Sequence, residues 1–185
     1  MKISEKISKK HKKGFLFWME GFSGSGKTTI SKKILPFVIK NFGPTIIIQG
    51  DNMRQIFELK SYTRNGRYSN SVKYRKFAKF ITDQNINIIF TVVGMMKKTR
   101  LWLSKNIKNY IEIYIKADIL QIKKKKIKKT YLKAKNIVGL DIKPEIPKKP
   151  DITIINNFNK SYSSLKKEFE TKILELVKKN EKKFK

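Results

Sequence analysis

Apolar positions in this 185-residue chain fall into two rhythms. Short apolar runs at Phe15–Glu20, Thr45–Gln49, Ile86–Val93, Tyr110–Ala117 and Asp151–Asn156 read as buried strands. Helical spacing appears between them. Lys27–Asn41 carries Ile30, Ile34, Leu35 and Val38 on one face, with Pro36 predicting a kink or an early end. Ser69–Gln84 and Lys97–Asn106 read as helices, and Ile119–Lys135 as a very basic helical stretch. Leu165, Phe169, Ile173 and Val177 recur every four residues and predict an amphipathic closing helix over 161–183. Gly43-Pro44 is a turn, Gly50-Asp51-Asn52 ends the second strand, and Asn136–Pro150, with three prolines, is a loop. Strands that alternate with helices predict an α/β fold: a doubly wound, mostly parallel sheet of about five strands with helices on both faces. With no repeat and no linker, residues 1–185 read as a single domain whose first 13 residues form a basic tail.

Composition adds a large charge: 44 Lys+Arg against 14 Asp+Glu, a formal net charge of +30. Lysine carries nearly all of it, because the arginines are only Arg54, Arg64, Arg67, Arg75 and Arg100. Lys, Ile and Asn share AT-rich codons, so codon drift accounts for the bias without a nucleic-acid partner. A nucleic-acid reader would show aromatics interleaved with arginine or a known reading motif, and neither is present. There is no cysteine, which excludes disulfides and thiolate metal sites. The longest apolar stretch, around Ile86–Met96, is broken by Asn87, Thr91 and Gly94 and is too short to span a bilayer. No secretory signal is apparent, so a cytoplasmic protein without a membrane partner is expected.

The chemistry concentrates in Gly21-Phe22-Ser23-Gly24-Ser25-Gly26-Lys27-Thr28, which matches G-x-x-x-x-G-K-[ST] between a strand and a helix. Glycines let successive backbone N–H groups converge into an anion nest, and the following helix adds its unpaired first-turn N–H groups. Lys27 would reach the β- and γ-phosphates, the Thr28 hydroxyl would hold Mg²⁺, and Thr29 would approach the α-phosphate. The loop therefore predicts a P-loop fold that binds a nucleoside triphosphate. Further along, Asp51 and Arg54 follow the second strand, whose C-terminal end faces the ligand crevice in such a sheet. Asp51 suits a general base or a ligand in the metal shell; an N-cap on the next helix is the structural alternative.

With that pair the chain resembles adenylylsulfate (APS) kinase. The family's phosphate loop matches Gly21–Thr28, and its D-G-D-N-x-R matches Gln49-Gly50-Asp51-Asn52-Met53-Arg54. Its F-S-x-x-D-R-x-E-N matches Tyr62–Asn70, and its A-K-L helix matches Ala78-Lys79-Phe80. A lid segment matches Lys129–Ala134, and the G-I-D and P-Y-E-x-P signatures match Gly139-Leu140-Asp141 and Pro144–Pro147 loosely. The resemblance runs from about Phe15 to Asn156 with near-constant spacing.

The resemblance implies an enzyme that uses Mg²⁺ and ATP to phosphorylate the 3′-hydroxyl of APS, a small anionic nucleotide, in sulfate assimilation. Residues 118–150 would then form a helical lid and an acceptor loop. Asp51 would orient or deprotonate the hydroxyl, with Lys27 on the transferring phosphoryl group. Arg54, Arg67 and Asn70 would hold the phosphosulfate, Tyr62 would stack on the base, and Lys133 would lie in the lid. Ile137 takes the place of a second stacking aromatic, Gln49 of the first Asp in D-G-D, Gly66 of the Asp in D-R, and Gly94 of a serine. Val72-Lys73 stands where the family pairs two arginines. The donor machinery is intact while the acceptor pocket departs. The alternative acceptor is another nucleotide conjugate, for example a cytidine diphosphate derivative in surface-polysaccharide synthesis. The alternative from another class is a basic nucleic-acid-binding protein with a vestigial loop. The sequence leaves open whether the chain forms a homodimer.

If the charge is codon drift, duplex DNA should bind without sequence preference and lose affinity steeply between 50 and 200 mM salt, on the order of 10³-fold for six or more phosphate contacts. A salt titration by fluorescence anisotropy checks this; tight, sequence-selective binding at physiological salt would revive the nucleic-acid alternative.

Overall fold

The computed structural model describes residues 13–124 and 135–180. In chain order the elements are β1 (Leu16–Glu20), α1 (Lys27–Phe42), β2 (Thr45–Gln49), α2 (Gly50–Ile56), α3 (Arg64–Asp83), β3 (Asn87–Val92), α4 (Lys97–Asn106), β4 (Tyr110–Lys116), α5 (Ile119–Lys124), β5 (Ile152–Ile155) and α6 (Tyr162–Lys179). The five strands lie in the order β2-β3-β1-β4-β5, and every neighbouring pair is parallel.

Burial on both faces explains why the strand sequences are continuous rather than alternating. Every residue of β1 is buried, and successive side chains go to opposite layers. Phe15, Phe17 and Met19 pack with Ile30, Ile34 and Val38 of α1 and with Leu165, Phe169 and Ile173 of α6. Leu16 and Trp18 pack on the other face with Tyr74 and Ala78 of α3 and Leu103 of α4. The periodicity read from the sequence therefore marks the buried stripes of α1 and α6. No helix among the described residues is long and apolar enough to cross a membrane.

Three element boundaries differ from expectation. Pro36 neither ends nor shortens α1, which runs through to Phe42 and stops at Gly43 (φ 97°). Pro36 is on the exposed side of the helix, where the carbonyl it leaves unpaired can meet water. The third helix starts at Arg64 rather than Ser69, because the Thr63 hydroxyl accepts a hydrogen bond from Gly66 N and caps the extra turn. The seven-residue α2 was read as the end of a strand. Gln49 precedes it without a side-chain cap, and Asp51 lies in its first turn rather than capping it.

One buried polar residue joins three elements at the N-terminal edge of the sheet. Asn87 Oδ1 accepts from Phe15 N at 2.8 Å, and its Nδ2 donates to Phe42 O at 3.0 Å. Asn87, Phe15 and Phe42 are 2%, 1% and 7% exposed, so water has little access to either backbone group. Asn87→Ala should destabilise the protein by about 2–4 kcal/mol, because it strands a buried donor and a buried acceptor together. Urea denaturation followed by circular dichroism measures this; a loss below about 0.5 kcal/mol would mean that the two backbone groups find other partners.

Candidate functional site

In a parallel sheet all strand C-termini reach the same edge, and here that edge collects the predicted chemistry. The loop after β1 turns through Gly24 (φ 78°) and Gly26 (φ 96°), both in the left-handed region that a Cβ disfavours. At Gly26 the space is closed as well: a Cβ there would sit 2.8 Å from Asn156 Nδ2. That amide donates to Ser25 O at 2.9 Å, while Asn156 Oδ1 accepts from Phe158 N at 3.1 Å. The end of β5 thus pins the loop that follows β1.

Ser23, Gly24, Gly26, Lys27, Thr28 and Thr29 line one cavity, together with Gln49, Gly50, Asp51 and Tyr162. Ser25, fully buried, and Gly21 lie behind it rather than on its wall. The Lys27 ammonium donates to Gly21 O at 2.9 Å and to Phe22 O at 2.6 Å. The loop's own carbonyls therefore hold the charge next to the nest. Thr28 Oγ1 lies 3.4 Å from Gln49 Oε1. Thr28 and Asp51 present hard oxygen donors to the same cavity, which suits a Mg²⁺ ion that keeps most of its ligands as water and phosphate.

A second cavity adjoins the first. It brings Arg54, Tyr62, Arg67 and Asn70 together with Asp51, and its wall includes Gly94. The Arg54 guanidinium stacks 3.6 Å from the Tyr62 ring centroid, with Arg67 at 5.4 Å. Arg54 Nη2 donates to Ser61 O at 2.8 Å, and Arg67 bonds Tyr62 O at 2.9 Å and Asn136 O at 3.0 Å. Burial, then the neighbouring Arg54 charge, push Arg67 below its ordinary pKa. Tyr62 and Arg67 also border a third cavity with Ile137, and Asp51 borders all three. Lys133 lies outside the described residues. The 135–150 loop is tied down by Glu145, which accepts from Lys97 N at 2.6 Å and pairs with Arg64 at 2.6 Å.

Four contributors went unpredicted. Glu20, Gln49, Asn156 and Tyr162 all stand at the ends of elements along the same edge. Glu20 is the sharpest case. Alternation from Leu16 and Trp18 puts it on their side of the sheet, where it is 1% exposed and lines the second cavity. Its Oε1 pairs with Arg100 at 3.1 Å, and Arg100 Nε pairs with Glu112 at 3.3 Å. Burial pushes the Glu20 pKa up to about 8; the Glu112 charge adds to this, and Arg100 opposes it. Burial also raises Glu112.

Residues 13–155 match the family model of adenylylsulphate kinase. The chain belongs to that family. It is 35% identical to the cytidine diphosphoramidate kinase of Campylobacter jejuni over 148 residues, covering 77% of this chain and 86% of the relative. It is 31% identical to the adenylyl-sulfate kinase of Clostridium acetobutylicum over 151 residues, covering 77% of this chain and 74% of that one. The Mycobacterium tuberculosis APS kinase solved with AMPPNP and APS superposes with a TM-score of 0.76 at 18% identity, covering 90% of this chain and 98% of that one, a likeness of fold. The chain thus has the P-loop kinase fold of that family.

In this kinase family member two cavities adjoin, one lined by the glycine-rich loop and one by two arginines, with Asp51 on both. The Lys27 ammonium rests on the Gly21 and Phe22 carbonyls beside the cavity. Lys27→Ala should leave the fold intact and lower phosphoryl transfer by ~10² or more, the usual loss when a preorganised charge is removed from a transferring group. Turnover assays with a far-ultraviolet circular dichroism control check this; unchanged turnover would remove the loop from catalysis.

Proposed function

We propose that this kinase transfers the γ-phosphoryl group of ATP to a ribose hydroxyl of a small anionic nucleotide conjugate, and that it favours a diphosphoramidate-ended nucleotide over APS. The observation that carries the phosphotransfer reading is Asp51, whose position borders both the phosphate-loop cavity and the arginine cavity. A carboxylate there is placed to orient the acceptor hydroxyl toward the γ-phosphate, or to take its proton. Thr28, with Asp51 nearby, would hold Mg²⁺, which supplies charge neutralisation on the phosphates. Lys27 would leave the Gly21 and Phe22 carbonyls for the β- and γ-phosphates, and Thr29 would approach the α-phosphate. Arg54, Arg67 and Asn70 would grip the acceptor's anionic bridge. Tyr62 would stack on the base once Arg54 moves from its face, and Ile137 would cover the base from the third cavity.

The acceptor preference rests on the Campylobacter jejuni relative and on the altered pocket. At Gly94 nothing lies within 4 Å of where a Cβ would stand, so the wall offers space and no hydroxyl. Ile137 offers an apolar cover in place of a second ring, which suits a smaller base. Phosphorylation of APS is the second reading, favoured by the family model and by the clostridial relatives.

Steady-state kinetics with ATP and each acceptor test the roles. Asp51→Asn should lower kcat by ~10² or more with acceptor KM nearly kept, since it removes the base and the charge but not the size. Arg54→Lys and Arg67→Lys should raise the acceptor KM while ATP binding stays normal, because a lysine cannot give paired hydrogen bonds to an anionic bridge. A rise in the ATP KM instead would move both arginines out of the acceptor site.

A further inference from the structure

The arginine cavity has two ends of different character. Its mouth is formed by exposed residues, Asp51 and Tyr62. Its inner wall is formed by Trp18, Glu20, Ser71 and Thr99, each no more than 6% exposed. A nucleotide with its base on Tyr62 and its ribose at Asp51 sends its anionic bridge past Arg54 and Arg67 toward this inner wall. Ser71 and Thr99 are already occupied with each other, at 2.8 Å between hydroxyl oxygens. The Trp18 indole N–H helps hold the Glu20 carboxyl but closes no hydrogen bond of full geometry, and Arg54 Nε is likewise buried without a partner. A buried carboxyl therefore stands at the point where the far end of the acceptor arrives.

We propose that Glu20 determines which acceptor end is accepted, by taking a hydrogen bond from the N–H of an amidate terminus and rejecting a terminus that carries oxygens alone. This rests on the nucleotide-conjugate reading above. The chemistry is asymmetric. The two termini carry the same negative charge, but a terminal –PO₂⁻–NH₂ group also carries N–H donors, whereas a terminal sulfate has only acceptor oxygens. An ionised Glu20 repels either charge and only the amidate N–H offsets that repulsion; a neutral Glu20 can meet sulfate only by turning its O–H outward. Either form has a carboxyl oxygen that can accept from an amide nitrogen. Arg100 cannot cancel the effect for both carboxylates, because it is shared between Glu20 and Glu112. Gly94 brings no side-chain donor to this wall, so the donors left for a terminal oxygen are the Trp18 indole N–H and Arg54 Nε, which serve either terminus alike. Discrimination by a buried group left unpaired against the wrong ligand is a strong form of selectivity.

The test uses a matched pair, adenosine 5′-diphosphoramidate and APS, which share base, ribose and net charge and differ at the terminus. Isothermal titration with the full-length wild-type protein, in the presence of a non-hydrolysable ATP analogue, should show the amidate binding at least about tenfold tighter than the sulfate. Glu20→Gln keeps the size and adds a donor for sulfate oxygens, so it should bring the two affinities to within about threefold. Glu112→Gln, which also contacts Arg100 but does not line the cavity, should leave the preference in place. Equal affinity in the wild type would overturn the proposal, a result that holds even if Glu20→Gln fails to fold. An equal collapse of the preference in Glu112→Gln would also overturn it, since the cause would then be the charge on Arg100. Phosphoryl transfer to nucleotide acceptors without a terminal preference would sink this inference alone. No transfer to any nucleotide conjugate would sink it together with the function it rests on.

Discussion

The parallel sheet buried on both faces is the constraint from which the site follows. Once β1 is flanked by β3 and β4 and covered by α1 and α6 on one side and α3 and α4 on the other, its C-terminal end has one exit. The chain leaves at Glu20 and must turn at once into the N-terminus of α1. That turn is tight enough to need Gly24 and Gly26 at positive φ, and it puts the loop on the wall of the crevice. The same edge receives Gln49 from β2 and Asn156 after β5. The glycine-rich loop, Gln49, Asp51 and Asn156 therefore meet at one edge although they come from three separate parts of the chain.

The division of labour between the two faces is equally physical. On the α1/α6 side the layer is nearly all aliphatic and aromatic, from Phe15 to Val177. On the α3/α4 side the layer opens toward the crevice into a cavity whose wall includes Glu20, the one member of the Glu20–Arg100–Glu112 cluster that reaches it. A cluster with two carboxylates to one guanidinium is an expensive thing to bury, and it adds little to stability beyond what an apolar pack would give. The place of Glu20 on the cavity wall is where the proposed selection between acceptor ends would act. The resting contacts of Lys27 and Arg54 fit the same picture: both charges are parked on carbonyls or a ring beside the places where phosphates would come.

Much of this was legible in the sequence, for reasons that can be named. The five strands were readable because doubly covered strands are unbroken apolar runs, and α1 and α6 because their buried stripes repeat at helical spacing. The phosphate loop was readable because its residue types are dictated by backbone geometry. The family and the group Arg54, Tyr62, Arg67 and Asn70 came through motif order, and the structure places all four on one cavity. What stayed hidden depends on distant partners or on local capping. Seven residues are too few for α2 to show a period, and Thr63 decides the start of α3 through one hydroxyl. Glu20 looked like an ordinary strand end, because its partner Arg100 is 80 residues away. Asn156 gave no sign that it would reach across 131 residues to Ser25.

In the proposed function a phosphate-donor site adjoins an acceptor pocket for an amidate-ended nucleotide, and a competition in one tube decides between the two acceptors. Cytidine 5′-diphosphoramidate and APS are supplied at equal, limiting concentrations with Mg-ATP and the purified protein, and the two phosphorylated products are separated and counted. Their initial ratio is the ratio of the two kcat/KM values. The cytidine product should dominate; a mixture dominated by the phosphorylated APS product would overturn the amidate preference and return the enzyme to sulfate chemistry.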